Sequence, residues 1–276
     1  MNLTYRIIPI DYSDEFKKAN LVKAEEVKFL KESIAKQIFV YEIDEYQKVY
    51  SIFGFHFLII KEIENYESSK IFNKIEGLGP YYAYYSTENL SDEEISQKLR
   101  GSKTLKISEQ NTYHNDNDIK VVVCEKGFIW CNQHTAFEEK KLERFEMTLK
   151  LFLIAIAYNQ KSTEILDSVS SSYQSKSYKK MIEIRDEIYG FDLNYFFENP
   201  VKQDRHQQYD IWKIIQQNYH VIELHNEIKS RVVGLTNIIE TKRKDTQNRW
   251  IAIFGLIISI LSLIDVFLNI FYRFFK

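Results

Sequence analysis

The stretch IAIFGLIISILSLIDVFLNIFY, residues 251–272, decides the fold class of this chain. Asp265 is the only one of its 22 residues that is charged at neutral pH. At about 1.5 Å per helical residue the stretch spans about 33 Å, enough to cross the roughly 30 Å hydrocarbon layer of a bilayer. The sequence therefore predicts one transmembrane helix over residues 250–272, with Trp250 and Tyr272 as interfacial anchors. The alternative, a core helix of a soluble domain, requires protein around its whole length.

The charges on either side of this helix predict its orientation. Basic residues are more numerous before it than after it: Lys242, Arg243, Lys244 and Arg249 against Arg273 and Lys276. The larger basic cluster stays in the cytoplasm. The N-terminal segment MNLTYRIIPIDYSDEF reaches acidic residues too soon to be a signal peptide. We expect a tail-anchored, single-pass protein of the cell inner membrane with its N-terminal domain in the cytoplasm.

Composition and motifs limit what the rest of the chain does. With 45% hydrophobic residues, 28% charged residues and a net charge of -2, it can bury a core but has no basic field for nucleic acid. Cys124 and Cys131 are too far apart for a close zinc or redox pair and fit a reducing compartment. Phosphate-loop, nucleophile-elbow and zinc-protease motifs are missing. We therefore expect that the protein is not an enzyme and has no cofactor and no metal site.

Hydrophobic periodicity predicts four segments. Residues 1–136 read as an α+β cytoplasmic sensor domain, residues 137–203 as a helical domain, 204–249 as a stalk helix and 250–272 as the transmembrane helix. The sensor domain has a helix within 14–36 and strands at 3–10, 37–43, 49–60 and 81–85. It ends in a hairpin of IKVVV and FIWC that is joined through Glu125, Lys126 and Gly127. Ser91 and Glu94 form a capping box that starts a helix. MTLKLFLIAIAY, residues 147–158, is too short for a bilayer and indicates a core helix, and SVSSSYQS at 168–175 indicates a break.

The predicted stalk has apolar positions spaced three and four residues apart over four heptads. They are Ile211, Ile214, Asn218, Val221, His225, Ile228, Val232, Leu235 and Ile239. This pattern fits a coiled-coil seam between subunits, in which the polar members Asn218 and His225 set register or oligomeric state. The alternative is an amphipathic helix that packs within its own chain. No proline interrupts 204–276, so stalk and membrane helix could form one rod.

A polar stripe runs along the membrane helix. At about 100° per residue, the small and polar residues other than Ala252 fall within about one third of its circumference. They are Gly255, Ser259, Ser262, Asp265, Asn269 and Arg273. An unpaired aspartate near a bilayer centre costs at least about 2.5–3.5 kcal/mol, so the stripe needs a partner or water. With one helix per chain, this predicts a homo-oligomer in the lipid bilayer.

Two arrangements of this oligomer remain open. In a dry bundle, the small residues allow close approach and Asp265 and Asn269 form hydrogen bonds across the seam. In a pore of three or more copies, the stripe lines a lumen and Asp265 forms an acidic ring that favours cations. The polarity of the stripe along its full length favours the pore, because the seam of a dimer needs only part of it.

An aromatic strand is the candidate ligand surface of the sensor domain. Alternating tyrosines place Tyr82 and Tyr84 on one face, where bases could stack. Three nearby basic residues could bind phosphate: Lys98, Arg100 and Lys103. The alternative is ordinary sheet core beside a solvated edge.

The order of these features resembles known membrane proteins. EKGFIWC, EIRDEIYGFDLNYFFENP and a heptad helix that runs into a terminal span resemble the tail-anchored Rmd1-type family over 119–272. The plan is similar to CorA-like channels, which are homo-oligomers gated by their cytoplasmic part, although the Gly-Met-Asn motif and a second span are missing. It also resembles membrane effectors of bacterial anti-phage systems such as the Hailong effector. That resemblance implies a nucleotide or short DNA-oligomer ligand.

Together these observations predict a homo-oligomeric membrane pore or ion channel gated by its cytoplasmic domain. Its opening would depolarise the cell as a toxic antiviral defence output, under control of that ligand or of a regulatory partner protein. The alternative is a tail-anchored scaffold with a dry anchor bundle that conducts nothing.

Overall fold

The structure is a computed structural model that describes residues 2–11, 20–22, 27–62, 75, 78–115, 119–132, 138–175 and 177–274. Within these ranges, side chains are described except at 20–22, 138, 269, 270 and 272–274. The chain divides into two units. The first comprises residues 1–165 and 189–226, and the second comprises residues 166–188 and 227–276.

The first unit is built on a mixed sheet in the order β2-β3-β4-β5-β1-β6-β9-β8-β7. Its strands are β1 (Asn2–Ile10), β2 (Asn20–Val22), β3 (Ile38–Glu42), β4 (Gln47–Ile52), β5 (Phe55–Glu62), β6 (Tyr81–Ser86), β7 (Thr112–Asn115), β8 (Ile119–Cys124) and β9 (Gly127–Asn132). All neighbours are antiparallel except β6 and β9, which run parallel. The α+β class predicted for this region is confirmed.

The helices are α1 (Glu32–Ala35), α2 (Asp92–Arg100), α3 (Glu138–Ser175), α4 (Tyr178–Asn194), α5 (His206–Asn218) and α6 (Val221–Phe274). One sheet face packs on α3, where the ring of Phe145 contacts Tyr5, Tyr85 and Phe128. The other face forms a core with α2, in which Ile95 and Leu99 pack among residues of β8 and β9. The segment 147–158 is a core helix as predicted, with every residue from Leu149 to Tyr158 buried.

Local signals predicted several element boundaries correctly. The Ser91 hydroxyl accepts a hydrogen bond from the Glu94 amide, and the Glu94 carboxylate accepts one from the Ser91 amide, so the capping box is confirmed. The hairpin of β8 and β9 turns at Glu125 and Lys126, also as predicted.

Three local predictions are wrong. Residues 20–22, inside the predicted helix over 14–36, form β2 against β3, while 12–19 and 23–26 lie outside the described residues. The single strand predicted over 49–60 is two strands, β4 and β5, because Phe53 and Gly54 adopt positive φ values and reverse the chain. The polar segment 168–175 remains helical: the Ser170 and Ser172 hydroxyls donate to the carbonyls of Leu166 and Val169 and so compete little with the helix.

The predicted continuous stalk is interrupted. Helix α5 ends at Asn218 and α6 begins at Val221, with His220 between them at φ 50°. A residue with positive φ cannot continue a right-handed helix, so 204–276 is two helices and not one rod.

Candidate functional site

The C-terminal part of α6 is a long apolar surface that the chain itself does not cover. Every described side chain from Thr241 to Leu268 is exposed, including Ile251, Leu256 and Phe267. This helix is long and apolar enough to cross a membrane, and none of its most apolar stretch is buried by the residues that the structure describes. Soluble monomers rarely expose contiguous apolar patches of more than a few hundred Å². The prediction of one long apolar C-terminal helix is confirmed, and it is compatible with a single-pass membrane protein.

The described residues of the polar stripe lie on one continuous helix, which the predicted stripe requires. Gly255, Ser259, Ser262 and Asp265 belong to one uninterrupted helix. Ser259 donates its hydroxyl to the Gly255 carbonyl at 2.9 Å, so the helix itself satisfies this group. Asp265 is exposed, and no other described segment covers it. The side chains of Asn269 and Arg273 lie outside the described residues.

Most of the nine predicted seam residues are buried within their own chain. In the first unit, Ile211, Val221 and His225 are buried, whereas Ile214 and Asn218 are half-buried. In the second unit the buried members are Ile228, Val232, Leu235 and Ile239. A coiled coil between subunits is not shown, and the burial fits the alternative in which this face packs within its own chain. A heptad pattern requires an apolar surface to pack against, but it does not specify whether that surface belongs to the same chain or to another subunit.

His225 has a specific environment in the first unit. Its ring stacks on Phe196 with the centroids 3.4 Å apart, and its Nε2 lies 2.9 Å from Oδ1 of Asp192. Asn218, the other polar seam residue, donates to the carbonyl of Ile214 in its own helix. Both polar seam residues thus have contacts within one chain.

The predicted ligand surface is brought together only in part. Tyr82 and Tyr84 stack with their centroids 6.0 Å apart, and Lys98 Nζ lies 5.8 Å from the Tyr84 ring. The Tyr84 hydroxyl donates to the Lys98 carbonyl, and burial raises the pKa of Tyr84 to about 12.

The two remaining cations of that surface are engaged by carboxylates. Arg100 contacts Glu125 at 2.7 Å, and Lys103 is paired with Glu93. Binding phosphate at Arg100 or Lys103 would therefore require competition with these acidic groups.

A second concave feature was not predicted from the sequence. An aromatic cleft of about 340 Å³ is lined by Gln37, Phe39, Ser51, Phe53, Gly54, Lys161, Phe191 and Tyr195. Its volume lies at the lower end of ligand pockets. The ring of Phe39 is 44% exposed and so is accessible at the mouth of the cleft. The cleft combines the exposed ring of Phe39 and the half-buried rings of Phe53 and Tyr195 with the polar groups of Gln37, Ser51 and Lys161.

Phe53 forms part of this cleft from a strained position. Phe53 and Gly54 have φ values of 53° and 89°, as in the two-residue hairpin turn that favours Asn-Gly. The Phe53 ring stacks on buried Tyr158 at 5.1 Å and meets Tyr195 edge-on at 5.8 Å. A glycine inside an apolar strand pattern was the sequence signal for this turn.

Comparison with known protein families, curated proteins and solved structures finds no match to this chain. Its function must therefore be inferred from its own geometry.

Metal and thiol chemistry gain no support from the residues that the structure describes. Among them, no three His, Cys, Asp or Glu residues are grouped to hold a metal ion. Cys124 and Cys131 are free and buried, and burial raises the pKa of both thiols. A buried thiol with a raised pKa is a poor nucleophile.

Proposed function

We propose that this chain assembles through its C-terminal helix into a cation-conducting pore in the cell inner membrane, with the sheet domain in the cytoplasm as its control element. The observation that carries the proposal is the polar stripe of Ser259, Ser262 and Asp265 on the part of α6 from Trp250 to Leu268, which is otherwise apolar and is exposed throughout. Three or more copies would shelter these groups around water. Four basic residues before the span favour the cytoplasmic side for the domain.

Burial of the heptad residues moves the expected subunit contacts from the predicted stalk to the membrane helix. Because Ile228, Leu235 and Ile239 are already buried in one chain, they offer little surface to a sister subunit. The exposed apolar segment from Trp250 to Leu268 offers the most. Subunit contacts should therefore concentrate in the membrane, where Gly255 and Ser259 permit close helix approach.

Cysteine accessibility in planar bilayers tests the pore. Both natural cysteines are buried, so an introduced thiol can be labelled selectively. With Ser262→Cys, we expect a cationic methanethiosulfonate reagent to block most of the current of the purified full chain. The matched control is Ile264→Cys, which lies about 200° from position 262 on the helix and should keep its current. Equal block of both variants would contradict a lumen lined by the stripe.

Two further measurements separate a pore from a scaffold. Asp265→Ala should weaken selection of cations over anions, because an acidic ring is lost. Expression of the full chain should be toxic, and deletion of 250–276 should abolish the toxicity. A stable oligomer without conductance or toxicity would instead support the scaffold with a dry anchor bundle. Solitary protomers in mild detergent, measured by light scattering, would contradict both.

We further propose the aromatic cleft as the site of the controlling ligand. A planar ring could stack on Phe39 and Phe53, while Gln37 and Ser51 bind its polar edge. Lys161, which lies 3.6 Å from Glu164, would bind its negative charge in competition with that carboxylate. The resemblance to anti-phage effectors suggests a nucleotide or short DNA oligomer. A regulatory protein that inserts an aromatic side chain is the alternative occupant.

Phe53→Asn tests the cleft while it keeps the hairpin turn. Asn-Gly is the preferred sequence for this turn, so the substitution relieves backbone strain while it removes the ring. Stacking contributes about 1–3 kcal/mol per base, so binding of a deoxyadenylate oligomer to the full chain should weaken about tenfold or more. Tyr189→Ala is the control, since Tyr189 is 44% exposed but does not line the cleft. Unchanged binding in Phe53→Asn would exclude this site.

A further inference from the structure

The turn between α3 and α4 lies beside α6 in the second unit, shortly before the apolar span. The Tyr178 hydroxyl donates to the Ile239 carbonyl at 3.5 Å, and Lys242 Nζ lies 5.9 Å from the Tyr178 ring. A Cβ added to Gly234 would lie 3.1 Å from the Tyr173 hydroxyl. These contacts place the start of α4 level with residues 239–242 of α6.

This placement joins two basic segments that are about 60 residues apart in sequence. Lys179 and Lys180 follow Tyr178 directly and are exposed. The basic surface formed with α6 comprises Lys179, Lys180, Lys242, Arg243, Lys244 and Arg249, all of them exposed. The nearby carboxylates are fewer: Glu183, which lies 3.8 Å from Lys179, Glu240 and Asp245. The surface therefore keeps a net positive charge.

The basic surface stands at the level of lipid headgroups if the span is inserted. At about 1.5 Å of rise per residue, Arg249 lies about 2 Å and Lys242 about 12 Å before Trp250 along the helix axis. Trp250 marks the interface. The Debye length at physiological ionic strength is about 8 Å, so these cations lie within about one to two screening lengths of the bilayer surface.

We propose that the basic surface binds anionic phospholipid headgroups of the leaflet in which the span begins. The proposal rests on insertion of the span, which belongs to the proposed function, but not on conductance. A membrane is favoured over nucleic acid because the span itself fixes these cations at headgroup depth. Lys179 and Lys180 extend the lipid contact beyond the basic run of α6, which is a contribution that only the packing of α4 on α6 provides.

Spin-label electron paramagnetic resonance on the full chain in mixed vesicles tests this binding. The probes are spin-labelled phosphatidylglycerol and phosphatidylcholine, and the readout is the ratio of their association constants with the protein. A basic residue near an anionic surface increases binding about fivefold. We expect a preference for phosphatidylglycerol of at least about fivefold in the unmodified chain. A ratio near one would overturn the proposal.

Charge-reversal variants locate the contact. Lys179→Glu with Lys180→Glu, and separately Lys242→Glu with Arg243→Glu, should each lower the preference several-fold. The matched control is Lys229→Glu with Arg231→Glu: both residues are exposed on the same helix, and Lys229 lies about 30 Å before Trp250, several screening lengths away. The control should keep the preference. An unchanged preference in the Lys179 and Lys180 variant would overturn the contribution of α4.

The remaining outcomes separate this proposal from its alternatives. Displacement of the lipid by millimolar inorganic phosphate or by a short oligonucleotide would identify a soluble anion or nucleic acid as the ligand and overturn lipid binding. Extraction of the full chain from membranes by sodium carbonate would refute insertion and with it both proposals. A retained lipid preference without conductance would refute only the pore.

Discussion

Replacing Gly127 by alanine is expected to destabilise the sheet domain by about 3–5 kcal/mol. Gly127 begins β9 with φ 151°, and a Cβ on it would lie 1.9 Å from the carbonyl oxygen of Tyr82. The backbone carbonyl cannot rotate away as a side chain would, because β6 and β9 pair here as parallel neighbours. The substitution must therefore separate the two strands that join the halves of the sheet.

Thermal unfolding of the full chain in detergent measures this effect. For a domain of this size about 1 kcal/mol corresponds to about 2–4 °C, so Tm should fall by at least about 6 °C. Gly190→Ala is the matched control: Gly190 is helical, and a Cβ there would meet no atom within 4 Å. The control should raise stability by about 0.5–1 kcal/mol through helix propensity. A Tm of Gly127→Ala equal to that of the unmodified chain would show that β6 and β9 do not pair as described.

Replacing Trp212 by alanine is expected to cost about 3–5 kcal/mol. Trp212 is 1% exposed, and its ring meets buried Tyr158 edge-on at 6.3 Å. Tyr158 in turn stacks on Phe53 of the aromatic cleft and contacts Phe196, which stacks on His225 near the start of α6. A cavity at Trp212 should therefore loosen the aromatic cluster that links the cleft to α6.

Phe in place of Trp212 separates packing from hydrogen bonding. The Trp212 indole donates to the Glu198 carbonyl at 2.8 Å, but Gln216 also donates to that carbonyl at 2.7 Å. The carbonyl keeps a partner in Trp212→Phe, so we expect a loss of only about 1–2 kcal/mol. Thermal unfolding compares the two variants, and ligand binding at the cleft should weaken in Trp212→Ala more than in Trp212→Phe. Equal stability of the two variants would show that the ring is not packed as described.

The features that sequence reasoning predicted correctly are local ones. The long apolar C-terminal helix could be predicted from composition and length alone, because its apolar residues are contiguous in the sequence. The capping box at Ser91 and Glu94 and the hairpin turn at Glu125 and Lys126 involve residues a few positions apart. The polar stripe follows from helical geometry once the helix is granted.

The aromatic cleft could not be predicted in the same way. Phe39 and Phe53 come from the strands and hairpin of the sheet, whereas Lys161 comes from α3 and Tyr195 from the segment after α4. Only long-range packing brings them together. The tyrosine strand could be recognised from its alternating sequence. The pairing of its basic neighbours could not, because Arg100 pairs with Glu125 and Lys103 with Glu93, which lie 25 and 10 positions away.

What the sequence by itself determined is that this chain has a long apolar C-terminal helix with a carboxylate, Asp265, on it. What only the tertiary structure decided is which surfaces the chain covers itself. The heptad face from Ile211 to Ile239 is largely buried within the chain, residues 20–22 pair as a strand, and Lys179 reaches the level of Lys242. The physical reason is that periodicity encodes the need for a partner, whereas the identity of that partner depends on contacts between distant segments.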